Sequence, residues 1–143
     1  MHFRFSKWLV VCISVVVVSM HLGCGGSGST SDEKGPTAND GLVDLQRMLK
    51  ELGEGSQKLP KNQAELAAID PIYPTAAAFI QNGQVIYFWG TPINASAPNA
   101  ATTVIAHESK TETEGGFVLL QDGNIKEMTA DEFKAAPKSG KKK

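Results

Sequence analysis

His107 and Glu108 stand side by side, followed by Ser109 and, within six residues, by Glu112 and Glu114. An imidazole, a carboxylate and a hydroxyl are the parts of a nucleophile, base and orienter set. Their spacing works against that use. On a strand, adjacent side chains point to opposite faces, so His107 and Glu108 cannot pair as base and orienter. His107 is then expected to close a strand, touching solvent or a loop carbonyl. Ser56, Ser96 and Ser109 have no nucleophile-elbow context. Glu108, Glu112 and Glu114 could bind calcium, but calcium loops interleave Asp and Asn with a glycine at a fixed place. That pattern is missing, and a solvated loop is expected. Asp122 precedes Gly123 and reads as a turn residue. Tyr87 and Trp89 are the candidate ligand-binding residues, lining a groove beside the Pro92–Pro98 loop; the competing role for both is core packing. No catalytic residue, metal ligand or cofactor is assigned, and no enzymatic activity is expected.

Cys24 has a different kind of chemistry. It follows a cationic start (His2, Arg4, Lys7) and an uncharged apolar run from Trp8 to Met20. That run is well short of the ~20 residues a membrane-crossing helix needs, and the layout is that of an export signal. A chain cleaved before Cys24 loses Cys12, so one thiol remains. One thiol makes no internal disulfide and no metal site. The sequence Gly23-Cys24-Gly25-Gly26-Ser27-Gly28 matches G-x-G-x-x-G by letter. It lies between an apolar leader and a Gly/Ser-rich stretch, not between a strand and a helix, so no dinucleotide site is expected.

His21-Leu22-Gly23-Cys24 resembles the lipobox of bacterial lipoproteins, in which a small residue precedes the lipidated cysteine. Gly23 and Cys24 match the pattern; His21 stands where the family has leucine, and Leu22 comes one place later. The resemblance implies lipidation of Cys24 with acyl chains such as palmitate, and location in the bacterial cell envelope on a lipid anchor. More than one acyl chain, at ~0.8 kcal/mol per buried methylene, makes such an anchor firm. A plain signal peptide or an uncleaved anchor is the alternative.

Stepping along the chain gives a signal peptide at 1–23, a tether at 24–38, a small domain at 39–137 and a basic tail at 138–143. Residues 41–137 hold seven Lys/Arg against twelve Asp/Glu, and the tail adds four lysines. Such a tail can touch anionic surfaces or serve solubility; no nucleic-acid partner is expected. Leu42, Leu45, Met48, Leu49 and Leu52 recur at helical spacing, with Asn39 or Asp40 as cap and Gly53 as the left-handed end. Asn62 caps a second short helix with Leu66 and Ile69 inward. Residues 78–81, Asn82-Gly83 and 84–89 read as a hairpin whose second strand, apolar on both faces, is expected to be central. Thr102 to His107 is a further strand, and residues 116–121, Asp122-Gly123 and 124–127 form a second hairpin. Thr129 and Glu132 make a capping box, with Met128 and Phe133 placed as a staple, for a last helical turn. The expected fold class is α+β: two or three short helices on an antiparallel sheet of about five strands.

The run Gly115-Gly116-Phe117-Val118-Leu119-Leu120-Gln121-Asp122-Gly123-Asn124-Ile125 resembles a strand, Asp-Gly turn and strand segment of secreted bacterial prepilin-like proteins. The resemblance implies a pilin-like globular domain. Filament assembly does not carry over, because the long apolar helix with a glutamate near its start is missing. The function expected is that of a non-enzymatic, lipid-anchored envelope protein serving as an interaction or assembly module. Its partners are the membrane, through the anchor, and an unidentified envelope protein. The alternative is a small-ligand or ion-binding envelope lipoprotein using the Tyr87 and Trp89 side of the sheet.

Overall fold

A computed structural model describes residues 35–140; the leader, Cys24 and most of the tether lie outside the described residues. Helix α1 (Ala38–Glu54) buries Leu42, Leu45, Met48, Leu49 and Leu52, the stripe its apolar spacing requires. Its cap is Thr37, whose hydroxyl accepts from the Asp40 amide while the Asp40 carboxylate accepts from the Thr37 amide at 2.7 Å. Asp40 is thus the reciprocal member of a capping box and not the cap itself. The far end also differs from expectation. The helix runs past Gly53 to a cap at Gly55, and the left-handed residue is Ser56, at φ 53°. Helix α2 (Gln63–Ala67) starts at Asn62, whose side chain accepts from the Glu65 amide at 2.9 Å, as its sequence indicates.

Residues 78–81 are not a strand. They are the second half of helix α3 (Pro74–Gln81), which opens with Pro74, whose fixed φ suits a first helical position. A short apolar run fits either period, and here the run of three alanines behind the proline decides for helix. Gly83 does adopt positive φ, at 75°, but as the residue that ends α3, with its amide donating to the Ile80 carbonyl at 3.2 Å.

Four strands follow: β1 (Val85–Tyr87), β2 (Val104–Glu108), β3 (Gly116–Leu120) and β4 (Ile125–Met128). They form one antiparallel sheet in the order β1-β2-β3-β4. The strand count is four because the 78–81 segment is helical. It also places β1 at an edge and not at the centre. The α+β class stands.

Helices α1 and α3 pack together and cover the inner face, where Leu42, Leu45, Met48, Leu49, Leu66, Val85, Tyr87, Ile105 and Leu119 form the main core. A second cluster lies on the outer face: Phe88, Val104, Val118, Leu120, Met128 and Phe133. Phe133 comes from the last helix, α4 (Ala130–Ala135), fixed by the Thr129 and Glu132 capping box. Behind it the chain returns to the sheet. The Val104 amide donates to the Pro137 carbonyl at 2.8 Å, and the Ser139 amide donates to the Val104 carbonyl at 2.9 Å. Lys138 and Ser139 are therefore docked on the domain, although the sequence assigns them to a tail.

Candidate functional site

Strand β2 decides where the one imidazole of the domain points. Simple alternation would put Ile105 and His107 on the same face. A bulge between Val104 and Ala106 breaks the alternation. Ile105 and Ala106 both enter the inner core, and His107 emerges on the outer face with Phe88 and Phe133. Bulges re-aim side chains in this way, and nothing in the local sequence announces this one. His107 is fully buried; in place of the solvent or loop carbonyl expected for it, the ring meets a backbone carbonyl, that of Glu108 at the end of β2. Its ring lies 4.5 Å from that of Phe133 and 5.9 Å from that of Phe88.

Around it runs a groove of about 450 Å³, walled by Phe88, His107, Glu112, Phe133, Lys138 and Gly140 among others. Glu112 reaches it from a 3-10 turn (Ser109–Glu112) that follows β2 directly. His107 Nδ1 is 2.9 Å from the Glu108 carbonyl, and Nε2 is 3.8 Å from Glu112 Oε1. Lys138 closes the rim. Its ammonium donates to the carbonyls of Phe133 (2.5 Å), Ala136 (2.8 Å) and Lys134 (3.3 Å), and lies 4.4 Å from the Phe133 ring centre. A cation on the last carbonyls of a short helix is a favourable C-terminal cap. The groove can hold a small apolar or aromatic group against two phenyl rings and an imidazole.

The remaining sequence candidates fall elsewhere. Glu108 is buried, not solvated: it turns away from His107, accepts the Phe117 amide at 2.9 Å and has Lys110 at 3.4 Å. Thr111, also fully buried, donates to the Phe117 carbonyl at 3.5 Å. The turn is therefore a built structure and not the loose loop that its charge suggests. Glu114 is exposed and sits by a separate polar groove with Glu127 and Glu132. Among the described residues no three His, Cys, Asp or Glu side chains gather as a metal site would require. Asp122 accepts the Asn124 amide at 2.9 Å inside its turn.

Tyr87 and Trp89 lie on the helix side, edge to face at 5.2 Å. Tyr87 is buried and donates its hydroxyl to the Thr91 carbonyl at 2.9 Å, and burial pushes its phenol well above the usual range. Both aromatics pack with the main core, and the outer-face groove is walled by Phe88, the residue that follows β1. Phe88, Phe133 and Lys138 are the groove residues that sequence reasoning missed. The staple at Met128 and Phe133 marks Phe133 as buried, but a groove partner could be read only by knowing the bulge. Cys24 lies outside the described residues.

No protein-family model matches this chain, no curated protein does, and no solved structure does.

Proposed function

We propose that this chain is a non-enzymatic, lipid-anchored protein of the bacterial cell envelope, whose α+β domain is an interaction or assembly module. The observation that carries the reading is the order of the first 36 residues: cationic start, apolar run, Gly23-Cys24, then a Gly/Ser-rich stretch that ends where the α1 capping box begins. A folded domain on such a tether is free to meet partners at high local concentration. Support for an interaction surface comes from Val43 and Ile72, large apolar residues that are 48% and 61% exposed. They flank Arg47, which donates to the Ile72 carbonyl at 3.4 Å and to Asp44 at 2.8 Å.

The test has two arms. Cells fed a labelled fatty acid should label the protein, and Cys24→Ser should remove label and membrane retention together; equal labelling of the variant sinks the anchor. A photo-crosslinking residue at Val43 should give a discrete adduct in intact cells. Its absence there, with adducts from an opposite-face control at Lys126, would move the interaction surface elsewhere.

A second reading, small-ligand binding, is favoured by the outer-face groove with its Phe88, His107 and Phe133 walls. A ligand held there raises the melting temperature of wild type and not of a groove-filling variant such as Gly140→Trp.

A further inference from the structure

The pair formed by His107 and Glu112 has a chemistry that the interaction reading does not use. A backbone carbonyl only accepts, so the 2.9 Å contact from His107 Nδ1 to the Glu108 carbonyl puts a proton on Nδ1. In the neutral ring the other nitrogen, Nε2, then carries a lone pair. That nitrogen is 3.8 Å from the Glu112 carboxylate, itself an acceptor. A lone pair facing an anion repels it; a second ring proton turns the same contact into an imidazolium and carboxylate pair. The backbone around His107 thus sets a proton as the condition for attraction.

We propose that His107 and Glu112 form a proton-operated latch, fastening the Ser109–Glu112 turn over the outer face of the sheet when the imidazole is doubly protonated. The geometry favours a switch over a plain surface ion pair. The His107 side chain is 1% exposed and the Glu112 side chain 40% exposed, so the imidazole side of the contact is poorly screened. The imidazole is held between Phe88 and Phe133 and cannot swing away from its partner without opening the cluster. Glu112 belongs to a turn that packs on α4, so releasing it loosens the cover over Phe88, Val118 and Phe133.

Other charges near the ring come from three elements among the described residues. Lys134 of α4 lines the groove and lies 3.5 Å from Asp131. Lys138 of the C-terminal segment is committed to three carbonyls. Lys126 of β4 shares the cross-sheet row Ile86, His107, Val118, Lys126 but stands two strands away. Glu108 and Lys110 pair with each other beside the start of β3, while Ile86 of β1, Phe88 just after it and Val118 of β3 carry no charge. Burial of the ring and the cations Lys134, Lys138 and Lys126 oppose protonation of His107. Among the described residues, Glu112 is the anion that favours it.

The test uses the full chain in detergent micelles, in a background carrying His2→Gln and His21→Gln so that a single imidazole resonance remains. Glu112→Gln keeps the shape of the side chain and removes its charge. Titrated by NMR, the proton affinity of His107 should fall about tenfold in Glu112→Gln, the effect of losing one opposite charge within a few ångströms. Melting gives the second readout. The deficit of Glu112→Gln against its parent should be present below the midpoint that the NMR titration gives for His107 and lost above it, because the contact attracts only with the proton in place. A titration midpoint that the variant leaves in place, or a melting deficit equal on the two sides of that midpoint, overturns the latch.

Discussion

Replacing Glu108 by alanine should unfold this domain more readily than any other single charge deletion in the 108–114 segment. The carboxylate is buried beside the start of β3 and accepts the Phe117 amide at 2.9 Å, with Lys110 at 3.4 Å. A hydrogen bond to a charged group contributes about 1.5–3 kcal/mol, and its loss leaves the Phe117 donor without that acceptor. The Lys110 contact adds little, since that side chain is 55% exposed. For a domain of this size, about 2 kcal/mol corresponds to a fall of roughly 10 °C in melting temperature. The same carboxylate explains Gly116. A β-carbon there would lie 2.5 Å from Glu108 Oε2 and 2.8 Å from Thr111 Oγ1, so Gly116→Ala must push the carboxylate off its amide. The two changes therefore act on one contact and should not add. In a thermal or urea double-mutant cycle, Gly116→Ala should cost clearly less in the Glu108→Ala background than in wild type, with a coupling of ~1 kcal/mol or more. Glu108→Gln, which keeps an acceptor, should lie between alanine and wild type. Strict additivity of the pair, or a Glu108→Ala protein that melts within about 2 °C of wild type, refutes the reasoning.

Two further outcomes follow from the helix ends. Gly83→Val should cost roughly 1–2 kcal/mol in urea unfolding: Gly83 sits at φ 75° with open space around its missing side chain, so the cost is backbone conformation alone. Gly83→Asn, which tolerates that conformation, should recover most of it. Thr129→Ala should cost about 1 kcal/mol by removing the α4 cap, read in the same assay. It should also flatten the acid limb of the stability profile. The Thr129 amide and hydroxyl hold the Glu132 carboxyl below its usual range, and a depressed carboxyl contributes stability above the unfolded value that is lost as pH falls through the folded one. The Thr129 amide, the larger cause, survives the change, so an acid limb unchanged by Thr129→Ala would remove the Thr129 hydroxyl from its origin.

Much of this fold is legible because its signals are local and agree with one another. The stripe from Leu42 to Leu52, the Asn62 cap, the Asp122-Gly123 turn and the Thr129 and Glu132 box each describe a few neighbouring residues, and each forms as its chemistry requires. The failures have a common cause as well. Residues 78–80 are apolar and fit both periods, and Asn-Gly serves a helix end as well as a hairpin, because the glycine supplies positive φ for either; the hairpin turn would need it at Asn82 too, where φ is −84°. Choosing between them depends on Pro74 and the alanines behind it, and on the contact of α3 with α1, which ends at Glu54, far before Pro74 in the chain.

The site shows the same limit more sharply. The opposite-face rule separates His107 from Glu108 correctly, but it says nothing about which face His107 takes. That choice belongs to the bulge at Val104–Ala106, which arises from pairing β2 with β3 and from the return of Pro137–Ser139 to Val104. One inserted residue moves an imidazole from the helix-covered core to a groove with Glu112 on its rim. A polar run of Glu, Ser, Lys and Thr then becomes a packed turn, because Glu108 and Thr111 find partners on Phe117 that no sequence spacing reveals. The candidate site is therefore a product of tertiary register. Deleting Ile105 would remove the bulge and leave Val104, Ala106 and His107 in plain alternation, so both outer-face residues should keep their face, and His107 its groove, while the inner core loses one isoleucine.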